Sequence, residues 1–220
     1  MQNLDIEGNS FSGYLTTPGS GEGMGVILYH AWWGLNPFIM QTCDELARQG
    51  FVALAPDLYN GALAKTIDEA KQLRQSLDRK AANKIGAIAT DYLCSRQGTD
   101  RPHIGAIGFS LGCSFAIESS RSKSGIVKAV VLFYGTGGGK FDKSKAAFLG
   151  HFAENDQWGA DQKKVKALER RILAAEQEVT FYTYPNTVHW FAEADRPEYN
   201  AEASLLAWDR TIKFLREQLG

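Results

Sequence analysis

Six short, almost unbroken apolar runs, separated by helix-length stretches, constrain this chain more than any other feature. The runs fall at 26–30, 51–55, 103–109, 127–134, 146–152 and 179–184. A strand with one face in water alternates apolar and polar residues, whereas a strand that is apolar throughout needs cover on both faces. The intervening stretches, at 37–49, 67–96, 111–122, 161–177 and 201–219, carry helical patterning. Asn36-Pro37 reads as an N-cap and first helical residue, and Gly50 as a stop. The stretch 67–96 is long for one helix and is expected to break within 78–83. Strands alternating with helices imply a mostly parallel central sheet with helices on both faces, an α/β fold. The first ~20 residues, with Gly8-Asn9-Ser10 between alternating stretches, predict an antiparallel hairpin on one edge. No repeat, linker or low-complexity tract divides the 220 residues, so a single α/β domain over 1–220 is expected, without a large cap inserted into it.

Charge and composition narrow the function classes. The net charge is -1 and no basic cluster tracks along the chain, which argues against nucleic acid and against anionic membrane surfaces as partners. No apolar run approaches the ~18 residues of a membrane span. The N-terminal residues lack the basic-then-apolar order of a secretory signal. Three cysteines, Cys43, Cys94 and Cys113, lack metal-ligand spacing and read as reduced thiols of a cytoplasmic protein.

Gly108-Phe109-Ser110-Leu111-Gly112 fits G-x-S-x-G. The pentapeptide is common by chance, but here it joins the apolar run 104–107 to a helical stretch. A strand-to-helix turn holds the central Ser in a strained conformation with its hydroxyl exposed. It also sets a helix N-terminus, with free N–H groups, beside a developing oxyanion. A Ser hydroxyl is a weak nucleophile alone and requires a base, itself oriented by an acid. The expected chain order is Ser, acid, His. Two of the four His, His151 and His189, follow Ser110. His151 falls inside an apolar run and reads as a core residue. His189 follows the last run, where a base can reach Ser110. For the acid, Glu154, Asp156 and Asp161 follow the run 146–152. Asp161 reads as a helix cap. Asp156 is preferred as the triad acid, with Glu154 as the alternative.

Taken together, these segments resemble the dienelactone hydrolase family, within the α/β-hydrolase fold. The resemblance covers most of the chain. It is carried by Val26-Ile27-Leu28-Tyr29, Trp33-Gly34-Leu35-Asn36, Ala55-Pro56-Asp57-Leu58-Tyr59, Gly108-Phe109-Ser110-Leu111-Gly112-Cys113, Phe133-Tyr134-Gly135, Asn155-Asp156 and Val188-His189-Trp190-Phe191. It implies Ser110 as nucleophile, Asp156 as acid, His189 as base, and the backbone N–H groups of Trp32 and Leu111 as the oxyanion hole. No metal or organic cofactor is implied. Three departures stand out: Ser110 replaces a Cys nucleophile, Ala31 stands where an acid interacts with the resting thiol, and Glu193 stands where an arginine holds the substrate carboxylate. A carboxylate at 193 is expected to repel an acidic substrate.

The aromatic residues at strand ends complete the picture. Trp32-Trp33 reads as core packing or as pocket wall, since ligands in open α/β sheets bind beyond the carboxyl ends of the strands. Trp33, Tyr59, Tyr134, Trp158 and Trp190 are the candidate pocket residues, favouring an apolar or aromatic group. The stretch Gly135-Thr136-Gly137-Gly138-Gly139-Lys140 imitates a phosphate loop, but Tyr134 and Phe141 occupy positions that need Gly and Ser or Thr, so it is expected only to border the pocket. His30 is expected to hold its loop by hydrogen bonds. The sequence thus predicts a serine hydrolase of a small carboxylic ester or lactone, acting through an acyl-enzyme. The alternative is a catalytically silent α/β-hydrolase that binds a small molecule.

Overall fold

The computed structural model describes residues 1–6, 8–96 and 103–220. Eight strands make one sheet: β1 (Gln2–Ile6), β2 (Asn9–Thr16), β3 (Met24–Tyr29), β4 (Phe51–Pro56), β5 (Ile104–Phe109), β6 (Val127–Phe133), β7 (Ala147–Asn155) and β8 (Val179–Val188). Their order is β1-β2-β4-β3-β5-β6-β7-β8. The first two strands form the expected hairpin, and β2 pairs antiparallel with β4; every other pairing is parallel.

Among the described residues six helices cover this sheet: α1 (Pro37–Arg48), α2 (Ile67–Ser76), α3 (Arg79–Ser95), α4 (Gly112–Ser122), α5 (Gln162–Leu173) and α6 (Ala201–Leu219). The alternation of side chains along each strand sorts the core into two layers. Val26 and Leu28 of β3, with Ile107 and Phe109 of β5, face a layer containing Ile39 and Leu46 of α1 and Ala207 and Leu215 of α6. Ile27, Tyr29, Ile104 and Ala106 face the opposite layer, with Ala89 and Leu93 of α3, Phe115 of α4 and Leu168 of α5. Two-sided cover explains why β4 and β5 are buried along their whole length. This is the α/β-hydrolase architecture, with no separate cap among the described residues.

Local signals fixed the boundaries. The Asn36 side chain accepts the Ile39 N–H at 3.1 Å and Pro37 opens α1. Helical structure within 67–96 breaks at Leu77-Asp78, where the Asp78 carboxylate accepts the N–H groups of Lys80 and Ala81 and starts a new helix. Asp161 caps α5 through the Lys164 N–H, as its position suggested. The last strand runs further than its apolar run. Its register shifts between Ala153 and Asn155, and β8 continues past Asn186, which takes φ 55°, to pair Val188 with Asn155. That extension brings His189 directly off a strand end rather than out of a free loop.

Candidate active site

Five strands of the sheet deliver one group each to the same edge. Trp32 follows β3, Ser110 follows β5, Tyr134 follows β6, Asp156 follows β7 and His189 follows β8. Carboxyl ends of parallel strands are where the crossing loops open a crevice. A cleft of about 200 Å³ lies there, lined by Trp32, Ser110, Leu111, Tyr134, Trp158 and His189. Ser114, Gly135, Thr136, Gly159, Arg74 and Arg79 complete its wall.

Ser110 takes φ 51°, a left-handed conformation that side chains rarely adopt. Close packing enforces it. A Cβ on Gly108 would come within 2.5 Å of the Cys113 backbone, and one on Gly112 within 2.1 Å of the Tyr29 carbonyl oxygen. Only glycine lets α4 begin this close to β3 and β5. The Ser110 N–H donates to the Phe133 carbonyl at 2.9 Å, tying the turn to β6. The Cys113 thiol is buried and donates to the Gly108 and Phe133 carbonyls, and burial pushes its pKa up, so it serves packing.

From Ser110 an unbroken hydrogen-bonded chain runs inward. Ser110 Oγ lies 2.9 Å from His189 Nε2, and His189 Nδ1 lies 2.6 Å from Asp156 Oδ2. A carboxylate only accepts, so Nδ1 carries the proton and Nε2 is the free acceptor facing the Ser hydroxyl. The other carboxylate oxygen, Oδ1, accepts the backbone N–H groups of Trp158, Gly159 and Ala160 at 2.8, 3.1 and 3.3 Å. Burial pulls the Asp156 pKa up, but the hydrogen bond and charge of His189 and these N–H groups outweigh it and hold the carboxyl below its ordinary value. Glu154 is exposed and accepts the Asn186 N–H instead, away from His189. Among the described residues, no backbone carbonyl accepts the N–H of Trp32 or Leu111.

His30 and His151 are structural. His30 Nδ1 is 2.7 Å from the Ala31 carbonyl and its Nε2 accepts the Leu58 N–H at 3.2 Å. His151 sits between Tyr184 Oη and Thr211 Oγ1, and burial with the nearby Arg210 lowers its pKa to about 3.

The aromatic residues divide into two groups. Trp32, Tyr134 and Trp158 line the cleft. Trp33 and Trp190 lie behind Trp32, their ring centroids 5.5 and 6.1 Å from it, and the Arg196 guanidinium stacks 3.9 Å over Trp33. Tyr59 lines a separate recess with Leu58, Asn60 and Leu77. The glycine-rich stretch after β6 borders the cleft only through Gly135 and Thr136.

Position 193 corrects one expectation. Glu193 does not face the cleft: it is 1% exposed and accepts a hydrogen bond from Tyr134 Oη at 3.0 Å. Burial raises its pKa to about 8, so the group is largely uncharged at neutral pH and repels nothing in the cleft. The charges that do line the cleft are cationic. Arg74 near the end of α2 and Arg79 at the start of α3 both reach it, and Arg79 Nη2 is fixed on Ser114 Oγ at 2.8 Å. The sequence held one signal for them: a helical stretch too long to be continuous, whose break lies between these two residues.

Comparison with known proteins agrees with this architecture. Residues 11–219 match the dienelactone hydrolase family. The chain is 30% identical to "Protein usf" of Aquifex pyrophilus, covering 100% of this chain and 98% of that one. It is 26% identical to the carboxymethylenebutenolidase of Pseudomonas putida, over 95% of this chain and 92% of that one. Among solved structures, a dienelactone hydrolase-like promiscuous phosphotriesterase from metagenomic libraries superposes with TM-score 0.85 at 21% identity, covering 99% of this chain and 97% of that one. The dienelactone hydrolase of Anabaena variabilis superposes with TM-score 0.70 at 18% identity, covering 100% and 97%. At these identities the two structures speak for the fold, and the match along the sequence speaks for the family. The chain belongs to the dienelactone hydrolase family, a family of carboxylic ester and lactone hydrolases.

Proposed function

We propose that this protein is a serine hydrolase that cleaves a small carboxylic ester or lactone through an acyl-enzyme. The observation that carries the reading is the continuous chain from Ser110 Oγ through His189 to a buried Asp156 carboxylate, at 2.9 and 2.6 Å. His189 Nε2 takes the hydroxyl proton as Ser110 attacks the carbonyl carbon. The protonated imidazole is stabilised by Asp156 and gives its proton to the departing alkoxide. In the second half, His189 draws a proton from water, which attacks the acyl carbon and releases Ser110. The N–H groups of Leu111 and Trp32 are assigned to the oxyanion, each such donor being worth roughly 3 kcal/mol in the transition state. In a lactone the departing alkoxide stays attached to the acyl chain, so the product is one hydroxy acid rather than two fragments.

Substrate choice follows from the two walls of the cleft. Trp32, Trp158 and Tyr134 offer flat apolar surface, and the Arg79 guanidinium, with Arg74, offers positive charge. An ester or lactone bearing both an unsaturated or aromatic body and an anionic group satisfies both walls. The test is Ser110→Ala assayed on short p-nitrophenyl esters, with fluorophosphonate labelling of the unaltered chain. Loss of cleavage in the variant and labelling at Ser110 are expected. A variant that cleaves at the parent rate, or an unaltered chain that stays unlabelled, overturns the reading.

A further inference from the structure

Four residues beyond His189, the buried Glu193 carboxyl meets the phenol of Tyr134, and the mechanism above uses neither. Tyr134 stands at a junction. Its backbone takes φ 40° and its N–H donates to the His151 carbonyl at 2.8 Å, which fixes it against β7. The next residue, Gly135, is so close to the nucleophile turn that a Cβ there would come within 2.3 Å of the Ser110 carbonyl oxygen. The Tyr134 ring lies 5.0 Å from the His189 ring, inclined at 60°, and 5.6 Å from Phe191 at 73°. The segment carrying His189 is folded into successive turns, with the Glu193 N–H on the Trp190 carbonyl at 2.9 Å and the Arg196 N–H on the Glu193 carbonyl at 3.0 Å. Tyr134 Oη to Glu193 Oε1 is therefore a side-chain bond that ties the base's segment to the strand beside the nucleophile.

We propose that Tyr134 and Glu193 are positioning residues for His189: their buried hydrogen bond sets the imidazole against Ser110. The inference rests on the serine-hydrolase reading. It concerns how the base is held rather than which residue is the base.

The surroundings make this bond sensitive to alkali. Burial, and then Asp195 and Glu198 on the same segment, oppose a negative charge on Glu193, while the Tyr134 hydrogen bond and Arg196 favour one. Arg196 is committed to stacking over Trp33. From the other elements, Tyr134 and the buried Cys113 face the pair, and neither supplies positive charge. Asn36, ahead of α1, engages Asp195 rather than Glu193. As pH rises through about 8, Glu193 ionises in a dry site; the bond from Tyr134 offsets only part of the burial cost, since the pKa stays raised, and opening of the 189–198 segment relieves the rest. Ser110 then loses a well-aimed base.

The test measures the rate of Ser110 phosphonylation by a fluorophosphonate, and kcat and KM for p-nitrophenyl acetate, across the range about pH 6 to 10. The unaltered chain is expected to lose reactivity as pH passes about 8. Glu193→Gln keeps the size and an acceptor for the phenol without the titration. It is expected to stay within about twofold of the parent at pH 7 and to show no alkaline fall. Tyr134→Phe keeps the ring against His189 and removes the bond; kcat is expected to drop about tenfold with KM within about twofold. A merely structural role moves stability and leaves the shape of the pH profile alone. An alkaline fall unchanged in Glu193→Gln, or absent from the parent, overturns the proposal, as does a Tyr134→Phe variant with parental kcat throughout. If Tyr134→Phe does not fold, the Glu193→Gln profile decides by itself. A parent chain that is never labelled overturns the hydrolase reading and this proposal with it; a labelled parent with indifferent variants overturns this proposal alone.

Discussion

Ser110 and His189 sit 2.9 Å apart and are held by different kinds of structure. The Ser110 turn is fixed by backbone. Glycines at 108 and 112 let α4 start against β3 and β5, and there is no space for a side chain at either. The His189 ring is fixed by side chains: the Asp156 carboxylate on one ring nitrogen, the Tyr134 ring tilted against it at 5.0 Å, and the Trp190 ring at 5.0 Å, nearly perpendicular to it. Backbone packing is all-or-none, because displacing it disturbs a core close to crystal density. Side-chain positioning is graded and open to pH. The two halves should therefore fail differently when altered.

The largest effect is expected on the side-chain half, and in catalysis rather than stability. Asp156→Asn keeps the shape and most of the three backbone N–H contacts, but its amide can present a donor to His189 and favour the wrong tautomer. Turnover should fall by roughly 10⁴, with little change in melting temperature. Parental kcat in a folded Asp156→Asn protein would remove Asp156 from the site. On the backbone half, Gly112→Ala drives a methyl group into the Tyr29 carbonyl, 2.1 Å away. A cost of about 3 kcal/mol or more in stability is expected, read by denaturant unfolding, with activity and stability lost together. A stable but inactive Gly112→Ala protein would break the contrast.

The same division decides what could be read from the sequence. Backbone devices leave compositional traces. The apolar runs gave the sheet, Asn36-Pro37 gave the start of α1, and Gly108 and Gly112 framed Ser110. Chain order then led to Asp156 and His189, because each crossover returns the chain to the same sheet edge. Side-chain devices leave fewer traces. Glu193 looked like a charge in the cleft because a sequence gives spacing from His189 and no direction for the carboxyl. Trp33 and Trp190 have the composition of a pocket wall and lie one layer behind it. Arg74 and Arg79 were hidden in a charged helical stretch, and their approach to Ser110 depends on the turn at Leu77-Asp78.

Glu193 sharpens the contrast through pH. A carboxyl whose pKa rises from about 4.5 unfolded to about 8 folded binds its proton more tightly in the native state. The folded chain is then the more protonated one, and this group lowers stability progressively as pH climbs from ~4.5 to ~8, with the full penalty above that. Glu193→Gln removes the penalty. It should be indistinguishable from the parent well below pH 4.5 and on the order of 5 kcal/mol more stable above pH 8, the gap growing between those values. Equal denaturation midpoints at pH 5 and pH 9 for the two proteins would show that the buried carboxyl is not held uncharged.

The smallest expected effect tests the cationic wall and separates substrate choice from chemistry. Arg79 lines the cleft but takes no part in the Ser110–His189–Asp156 chain. Its guanidinium is held by Ser114 and lies 5.0 Å over the Phe115 ring, so its position is set before any ligand arrives. A preset charge discriminates between substrates without adding to the reaction itself. Arg79→Ala should thus leave kcat/KM for p-nitrophenyl acetate within about twofold, while lowering it about tenfold for an ester of matched size carrying a free carboxylate, as expected for one charge-assisted hydrogen bond. The difference should appear mainly in KM and shrink as salt is raised, because Arg74 and Arg79 are exposed to solvent. Equal losses for the neutral and anionic esters would mean that Arg79 supports the Ser110 turn through Ser114, which would move it from the substrate wall into the backbone half of the site.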